Sequence, residues 1–287
     1  MKEQKQEHIN CPCCQKDDSF LWAQENGFRA VKCYNCGFVY VNPRPRLDLI
    51  SESVKSGIHS IEEEEHDVSA RRVENKVDKY KGIFLEMFRD KWQSGKPISW
   101  LDLGAGYGEI VEAVSKIAGP SSDIQGIEPM SRKVQEARKL NLNIKEGYLS
   151  DDKGLYDVIS VVNVFSHIPN IQEFLKEIKS RLNPEGELFL ETGNIGDLSS
   201  VAQVPTELDL PDHLIFAGEQ NIIDLLAITG FEVVAIKKKR KDGMMNFIKS
   251  IAKKLLGRKI RISLPYTTGY KTLMVRAKLL KTANDLV

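Results

Sequence analysis

From Ile98 to near the end of the chain, short apolar runs alternate with segments whose apolar residues recur every third or fourth position. The runs predict strands at 98–103, 124–128, 144–147, 156–162, 187–191, 231–236 and 271–277. The periodic segments predict the helices between them. One starts at Ile110, one covers 131–140, one buries Ile171, Phe174, Leu175, Ile178 and Leu182, and one covers 219–229. Asn170 with Glu173 reads as a capping box for the third of these, Asn183-Pro184 as its stop, and Gly230 as the C-cap of the fourth. Alternation of this kind specifies an α/β fold, a Rossmann-like doubly wound seven-stranded sheet. The run 156–162 is apolar enough to be buried on both faces.

Upstream the pattern changes. Val73, Val77, Tyr80, Phe84 and Met87 fall at helical spacing and predict one long amphipathic helix reaching about Trp92, ended by Gly95-Lys-Pro97. Glu62 to Glu65 reads as a solvated acidic face. In Val41-Asn-Pro-Arg-Pro-Arg46 the two prolines force an extended connector. Before it, Phe20–Trp22 and Phe28–Val31 read as two short strands of a ribbon. The expected organisation is a ribbon with its connector over 1–46, a helical linker or cap over 47–96, and a large domain over 97–287 with an insertion at 237–270.

At 287 residues the chain can bury one large core and a small appendage, and its net charge of +1 shows no overall preference for polyanions. The first residues are polar, and no apolar run is long enough to span a bilayer, so the expected location is the cytoplasm. In a reducing compartment clustered thiols are metal ligands more often than disulfides. All five cysteines lie between Cys11 and Cys36. Cys11 and Cys14 form one C-x2-C pair and Cys33 and Cys36 a second, which predicts a four-thiolate structural zinc site. Cys13 breaks that spacing and is left over; reduced thiols without metal are the alternative.

The candidate chemistry centres on Ser99-Trp-Leu-Asp-Leu-Gly-Ala-Gly-Tyr-Gly-Glu109, a strand that enters a helix through three alternating glycines. Such a turn lets a ligand sit against bare main chain at a helix N-terminus. The dinucleotide fingerprint G-x-G-x-x-G requires glycine where this chain has Glu109. S-adenosylmethionine is the other ligand that suits the sheet. Asp102 could then take the ammonium of its amino-acid moiety, and Glu128, at the end of the second strand, is placed to accept from both ribose hydroxyls.

Leu101-Asp-Leu-Gly-Ala-Gly-Tyr-Gly108 resembles the first motif of class I S-adenosylmethionine-dependent methyltransferases. Tyr156-Asp-Val-Ile, Phe165-Ser-His-Ile-Pro169, Leu182-Asn-Pro-Glu-Gly186 and Glu191-Thr-Gly-Asn194 match its later motifs in order and spacing. Asp212-His-Leu-Ile-Phe216 and Gly230-Phe-Glu-Val-Val complete the pattern. The resemblance is closest to a bacterial branch with an N-terminal zinc ribbon and an Asn-Pro-Arg-Pro connector, which includes sugar and small-molecule methyltransferases. It implies a cofactor site of Asp102, Gly104, Ala105, Gly106, Tyr107, Gly108, Glu128, Pro129, Met130, Tyr148 and Asn163, with His213 or His167 as the base that deprotonates the acceptor. Ser166 departs from the family, which commonly has an acid there. Glu185 and Glu187 replace residues of a Pro-Gly-Gly turn, and Gly193 stands where proline is usual.

One further stretch is distinctive. Between Lys237 and Arg261 basic residues greatly outnumber the one acid, Asp242, while Met244, Phe247, Ile248, Ile251 and Leu255 form an apolar stripe at helical spacing. Three readings stand: a helix packed on the sheet or on a partner subunit, an interfacial helix over 244–256 lying on anionic lipid, and a positive rim for a diphosphate. The expected function is methyl transfer to a sugar, glycan precursor or similar small polar acceptor. A zinc-ribbon RNA base methyltransferase is the alternative enzyme, against which stand a ribbon with few basic residues and the lack of an Asn-Pro-Pro-Tyr-like motif. A non-catalytic binding protein on the same fold is the third possibility.

Overall fold

The computed structural model describes residues 5–61, 64–67, 71–204, 207–240, 244–255 and 269–280. At the N-terminus β1 (Gln6–Glu7) precedes a ribbon of β2 (Ser19–Glu25), β3 (Phe28–Cys33) and β4 (Val39–Val41). Asn26 and Gly27, both at positive φ (51° and 76°), make the two-residue turn between β2 and β3. The ribbon strands are longer than the apolar runs predict, and β4 is an addition. The proline connector is extended as expected: β5 (Arg44–Pro45) pairs antiparallel with β1.

The segment 47–96 holds more structure than its pattern announces. It contains α1 (Leu47–Ser56), the hairpin β6 (Ile58–Ile61) and β7 (Glu64–Asp67), α2 (Asn75–Met87) and α3 (Arg89–Gln93). Glu64 and Glu65 of the acidic run therefore lie in a strand, and positions 62 and 63 lie outside the described residues. The single helix predicted up to Trp92 is broken at Phe88, where φ is −118°. The Met87 carbonyl, which a continuous helix would turn to Lys91, accepts instead from Arg276 Nη1 at 2.6 Å. Val73 precedes α2 and is partly exposed.

The large domain runs β8 (Ser99–Leu103), α4 (Glu109–Ser115), β9 (Asp123–Glu128), α5 (Ser131–Lys139), β10 (Ile144–Glu146), β11 (Tyr156–Val162), α6 (Ile171–Ser180), β12 (Leu182–Gly193), β13 (Ile215–Phe216), α7 (Glu219–Ile228), β14 (Phe231–Arg240), α8 (Met244–Leu255) and β15 (Lys271–Leu279). Seven strands form one sheet in the order β10-β9-β8-β11-β12-β15-β14. The first five are parallel, and β15 is antiparallel to both its neighbours. This is the predicted Rossmann-like α/β architecture. Two local expectations fail. Asn170 makes no side-chain cap on α6; its amide oxygen accepts from Arg44 Nη2 instead, at 3.4 Å. Asn183-Pro184 lies inside β12, where the register against β11 jumps from Tyr156/Leu182 to Val158/Glu187. A bulge of this kind tolerates a proline that a regular ladder would not.

One face of the sheet carries α2 and α3 on an aromatic cluster. Phe84 lies 4.9 Å from Trp100 and 5.1 Å from Phe189 between ring centroids, both edge-on. Arg276 fastens the same layer by reaching Glu187 and Asp90 together. The opposite face shares one core with the ribbon: Cys11, Val31, Phe38 and Tyr40 are buried with Leu101, Ile159, Leu175 and Leu225. β13 joins the ribbon sheet directly, pairing Ile215 with Tyr40 and Phe216 with Val39. Gln172 Nε2 donates to the Pro12 and Cys13 carbonyls, each at 3.0 Å. No helix among the described residues is long and apolar enough to cross a membrane. Phe84 is fully buried at the centre of the aromatic layer, so Phe84→Ala should cost about 3–5 kcal/mol in chemical denaturation. A loss under about 1 kcal/mol would show that this layer collapses without penalty.

Candidate active site

The glycine turn lies where β8 passes into α4. Gly104, Gly106 and Gly108 all have positive φ (67°, 55° and 85°). Space as well as conformation excludes side chains here: a Cβ on Gly104 would sit 2.4 Å from Val164 Cγ2, and one on Gly108 2.5 Å from Leu142 Cδ1. The turn is pinned to β9. Gly104 and Ala105 N–H both donate to the Ile127 carbonyl (2.8 and 3.0 Å), and Gly106 N–H donates to Glu128 Oε2 at 2.8 Å. The second Glu128 oxygen accepts from Met130 N–H at 3.0 Å. Glu128 thus braces the turn itself, and each oxygen keeps a further lone pair.

Beside Glu128 opens a cleft of about 380 Å³ lined by Lys55, Pro129, Ser131, Gly147, Tyr148 and their neighbours. Lys55 Nζ stands 5.8 Å from the Tyr148 ring centroid. Met130 and Ala105 are buried. Tyr107 is half-buried, and its carbonyl accepts from Arg72 Nη1 at 2.7 Å. Arg72 also pairs with Glu74 and Glu112, while Val73 N–H donates to Glu109 Oε1. Asn163 ends β11 in the left-handed region (φ 57°), exposed, with its N–H on the Glu191 carbonyl.

Asp102 lies elsewhere. It is 1% exposed and accepts from Ser160 Oγ at 2.6 Å, and Ser160 in turn accepts from Trp100 Nε1. Burial pushes its carboxyl up to about 8 against the Ser160 hydrogen bond, with the charges of Glu109 and Glu128 adding to the rise. Asp102 therefore belongs to a buried polar chain with Ser160 and Trp100 and is not among the residues that line the cleft. Lys55 and Arg72 were not legible as site residues. They are cations in polar stretches, and only the placement of α1 and of the segment before α2 brings Lys55 to Tyr148 and Arg72 to the Tyr107 carbonyl.

The two histidines meet although they lie far apart in sequence. His167 follows β11, His213 precedes β13, and their ring centroids are 4.7 Å apart. His213 Nδ1 is 2.8 Å from the Leu208 carbonyl, so Nδ1 carries the proton and Nε2 the free lone pair. His167 Nδ1 faces the Asp212 carbonyl at 2.9 Å and Asp212 Oδ1 at 3.2 Å. Burial lowers the His213 imidazole to about 4, and the His167 charge pushes the same way. For His167, burial acts downward but the hydrogen bond and charge of Asp212 outweigh it, and the net shift is upward. The pair is split into a neutral imidazole and one biased toward the cation.

The ribbon holds this loop. Glu25 accepts from Leu208 and Leu210 N–H (2.9 and 3.1 Å), and Asn26 Nδ2 donates to the Leu210 carbonyl at 2.8 Å. Leu214 N–H donates to the Ser166 carbonyl at 2.7 Å, which links the two histidine segments. At the ribbon base, Cys11 Sγ lies 3.6 Å from Cys36 Sγ, and Cys14 Sγ 3.6 Å from Cys33 Sγ. A tetrahedral zinc with bonds of about 2.3 Å requires sulfur–sulfur edges of about 3.8 Å, so the four thiols fit that ion. Cys13 is buried next to the cluster but is not one of the four that converge.

The profile of the methyltransferase-domain family matches residues 73–236, and the chain belongs to that family. It is 26% identical to a mitochondrial ubiquinone biosynthesis O-methyltransferase of Candida albicans, over 52% of this chain and 50% of the relative. It is 31% identical to an (S)-coclaurine N-methyltransferase of Thalictrum flavum subsp. glaucum, over 40% of this chain and 34% of the relative. The chain thus spans half or less of these curated relatives. Among solved structures, an S-adenosylmethionine-dependent methyltransferase from Archaeoglobus fulgidus superposes with a TM-score of 0.50 at 16% identity, covering 70% of this chain and 94% of that one. That likeness is one of fold.

Cys33→Ser should abolish binding of about one zinc per chain, read by elemental analysis, and lower the melting temperature by several degrees. Metal-free wild-type protein with an unchanged melting temperature would contradict a structural zinc site.

Proposed function

We propose that the protein is an S-adenosylmethionine-dependent methyltransferase acting on a small polar acceptor, a sugar or glycan precursor, with His213 as general base and a structural zinc on Cys11, Cys14, Cys33 and Cys36. One observation carries the base: the Leu208 carbonyl lies 2.8 Å from His213 Nδ1 and fixes the tautomer that leaves a lone pair on Nε2, while burial favours the neutral ring. The cofactor, when bound, supplies an electrophilic methyl on a sulfonium whose leaving group needs no activation.

The chain's residues do the rest. Gly104, Ala105, Gly106, Tyr107 and Gly108 offer backbone, Glu128 its remaining lone pairs, and Pro129 and Tyr148 the walls, with Lys55 beside Tyr148; Met130, next to Pro129, and Asn163, at the end of β11, are assigned to the same site. Much of the catalysis is positioning, worth an effective molarity on the order of 10⁵ M or more. The proton leaving the acceptor passes to His213 Nε2. Asp212 orients His167, and its bias toward the cation suits a group that holds a developing anion on the acceptor. The relatives named above act, by their names, on oxygen and on nitrogen of small molecules, which supports a small-molecule acceptor. The sugar reading rests on the zinc-ribbon and Asn-Pro-Arg-Pro resemblance. Four thiolates leave a zinc no open position, so the metal acts through the fold.

Imidazole resonances should show His213 neutral until the pH falls to about 4, and His167 titrating above its ordinary value. A His213 pKa at or above about 6.5 would contradict its assignment as a pre-set neutral base. With tritiated methyl donor and a panel of sugars, nucleotide sugars and phenols, His213→Gln should lose about 10²- to 10⁴-fold in turnover while keeping cofactor affinity. Undiminished turnover would remove His213 from the chemistry.

A further inference from the structure

The insertion between β14 and β15 concentrates charge that the rest of the chain lacks. Residues 237–261 hold eleven lysines and arginines and one acid, whereas the remainder of the chain holds 30 basic and 39 acidic residues. Within it α8 carries Phe247, Ile248, Ile251 and Leu255 at the spacing of one helix face. That face is only partly covered by the described parts of the fold: Phe247 and Ile251 are half-buried, but Ile248 is 54% and Leu255 83% exposed, and Lys254 is exposed beside them. Lys237 and Lys238, still in β14, are tied to Glu86 and Glu219, so the charge available for a partner lies on α8 and around it.

Topology fixes where this helix emerges. The insertion leaves β14 at Arg240 and returns at Lys271, which are register partners, and the next residue, Thr272, pairs with Gly193 at the carboxyl end of β12. The carboxyl ends of β8 and β11, with the glycine turn and Asn163, are at the same edge of the sheet. Ligands of open α/β sheets bind along that edge.

We infer that α8 is an interfacial helix that docks the protein on an anionic lipid bilayer, with Ile248 and Leu255 entering the acyl boundary, the lysines on the headgroups, and the cleft edge of the sheet toward the membrane. Charge complementarity selects this occupant. A second copy of the chain would bring two strongly cationic segments together, and a nucleic acid would leave the apolar face uncovered. The docking surface stands on its own, whatever reaction the cleft performs.

The test is cosedimentation of the full-length, zinc-loaded protein with phosphatidylcholine vesicles and with vesicles that also contain phosphatidylglycerol. Binding should be at least about tenfold tighter to the anionic vesicles and should weaken with salt. Ile248→Glu combined with Leu255→Glu should weaken it at least about tenfold with an unchanged circular dichroism spectrum. In a Leu255→Trp variant the added fluorescence should shift to the blue on anionic vesicles. Equal binding to both vesicles, unaltered binding of the double variant, an unshifted Leu255→Trp, or a dimer that the double variant abolishes without any vesicle binding would each overturn the inference. Calorimetry with S-adenosylmethionine on the same preparation reports separately on the cofactor site.

Discussion

Ile215 and Phe216 complete the ribbon sheet by pairing with Tyr40 and Val39, and that pairing fixes the loop on which His213 stands. The Leu214 carbonyl accepts from Val41 N–H while the Leu214 N–H reaches the Ser166 carbonyl, so ribbon, His213 loop and His167 turn form one hydrogen-bonded unit. The tip of the ribbon adds Glu25 and Asn26 to the same loop. At the base of the ribbon the four thiols of Cys11, Cys14, Cys33 and Cys36 converge in an arrangement that fits a zinc ion. The cysteine cluster and the histidine pair are joined through the backbone of this ribbon. What looks in sequence like an appendage is, in the fold, the support of the loop that carries His213.

The cofactor side depends on a different constraint. The turn after β8 has to pass close to Val164 and Leu142, which leaves no volume for a Cβ at Gly104 or Gly108. Its N–H groups are oriented by Ile127 and Glu128, and its outer rim by Arg72. The glycine turn and the histidine pair are thus built by unrelated means, one by bare backbone against a sheet edge and the other by a ribbon strand added to a loop.

Period and punctuation made much of this readable in advance. The seven apolar runs became the seven strands of the main sheet, the glycine turn fell between strand and helix, and Cys11, Cys14, Cys33 and Cys36 converged at their C-x2-C spacing. What stayed hidden depends on contacts between distant residues. Arg44 takes Asn170 away from its helix cap, Arg276 takes the Met87 carbonyl and accompanies the break at Phe88, and Lys55 reaches Tyr148 from another segment. Asp102 reads as a ligand from its place beside the turn, yet Ser160 on the neighbouring strand draws it inward. Such long-range polar pairings leave no periodic trace in a sequence.

The central claim is that this turn holds S-adenosylmethionine. Calorimetric titration of folded, zinc-loaded protein tests it most directly, with NAD and a Gly106→Arg variant as controls. The account predicts saturable binding of S-adenosylmethionine, none of NAD, and loss of the signal when an arginine side chain fills the turn. Absence of binding by the wild-type protein, or equal binding of NAD, would contradict it.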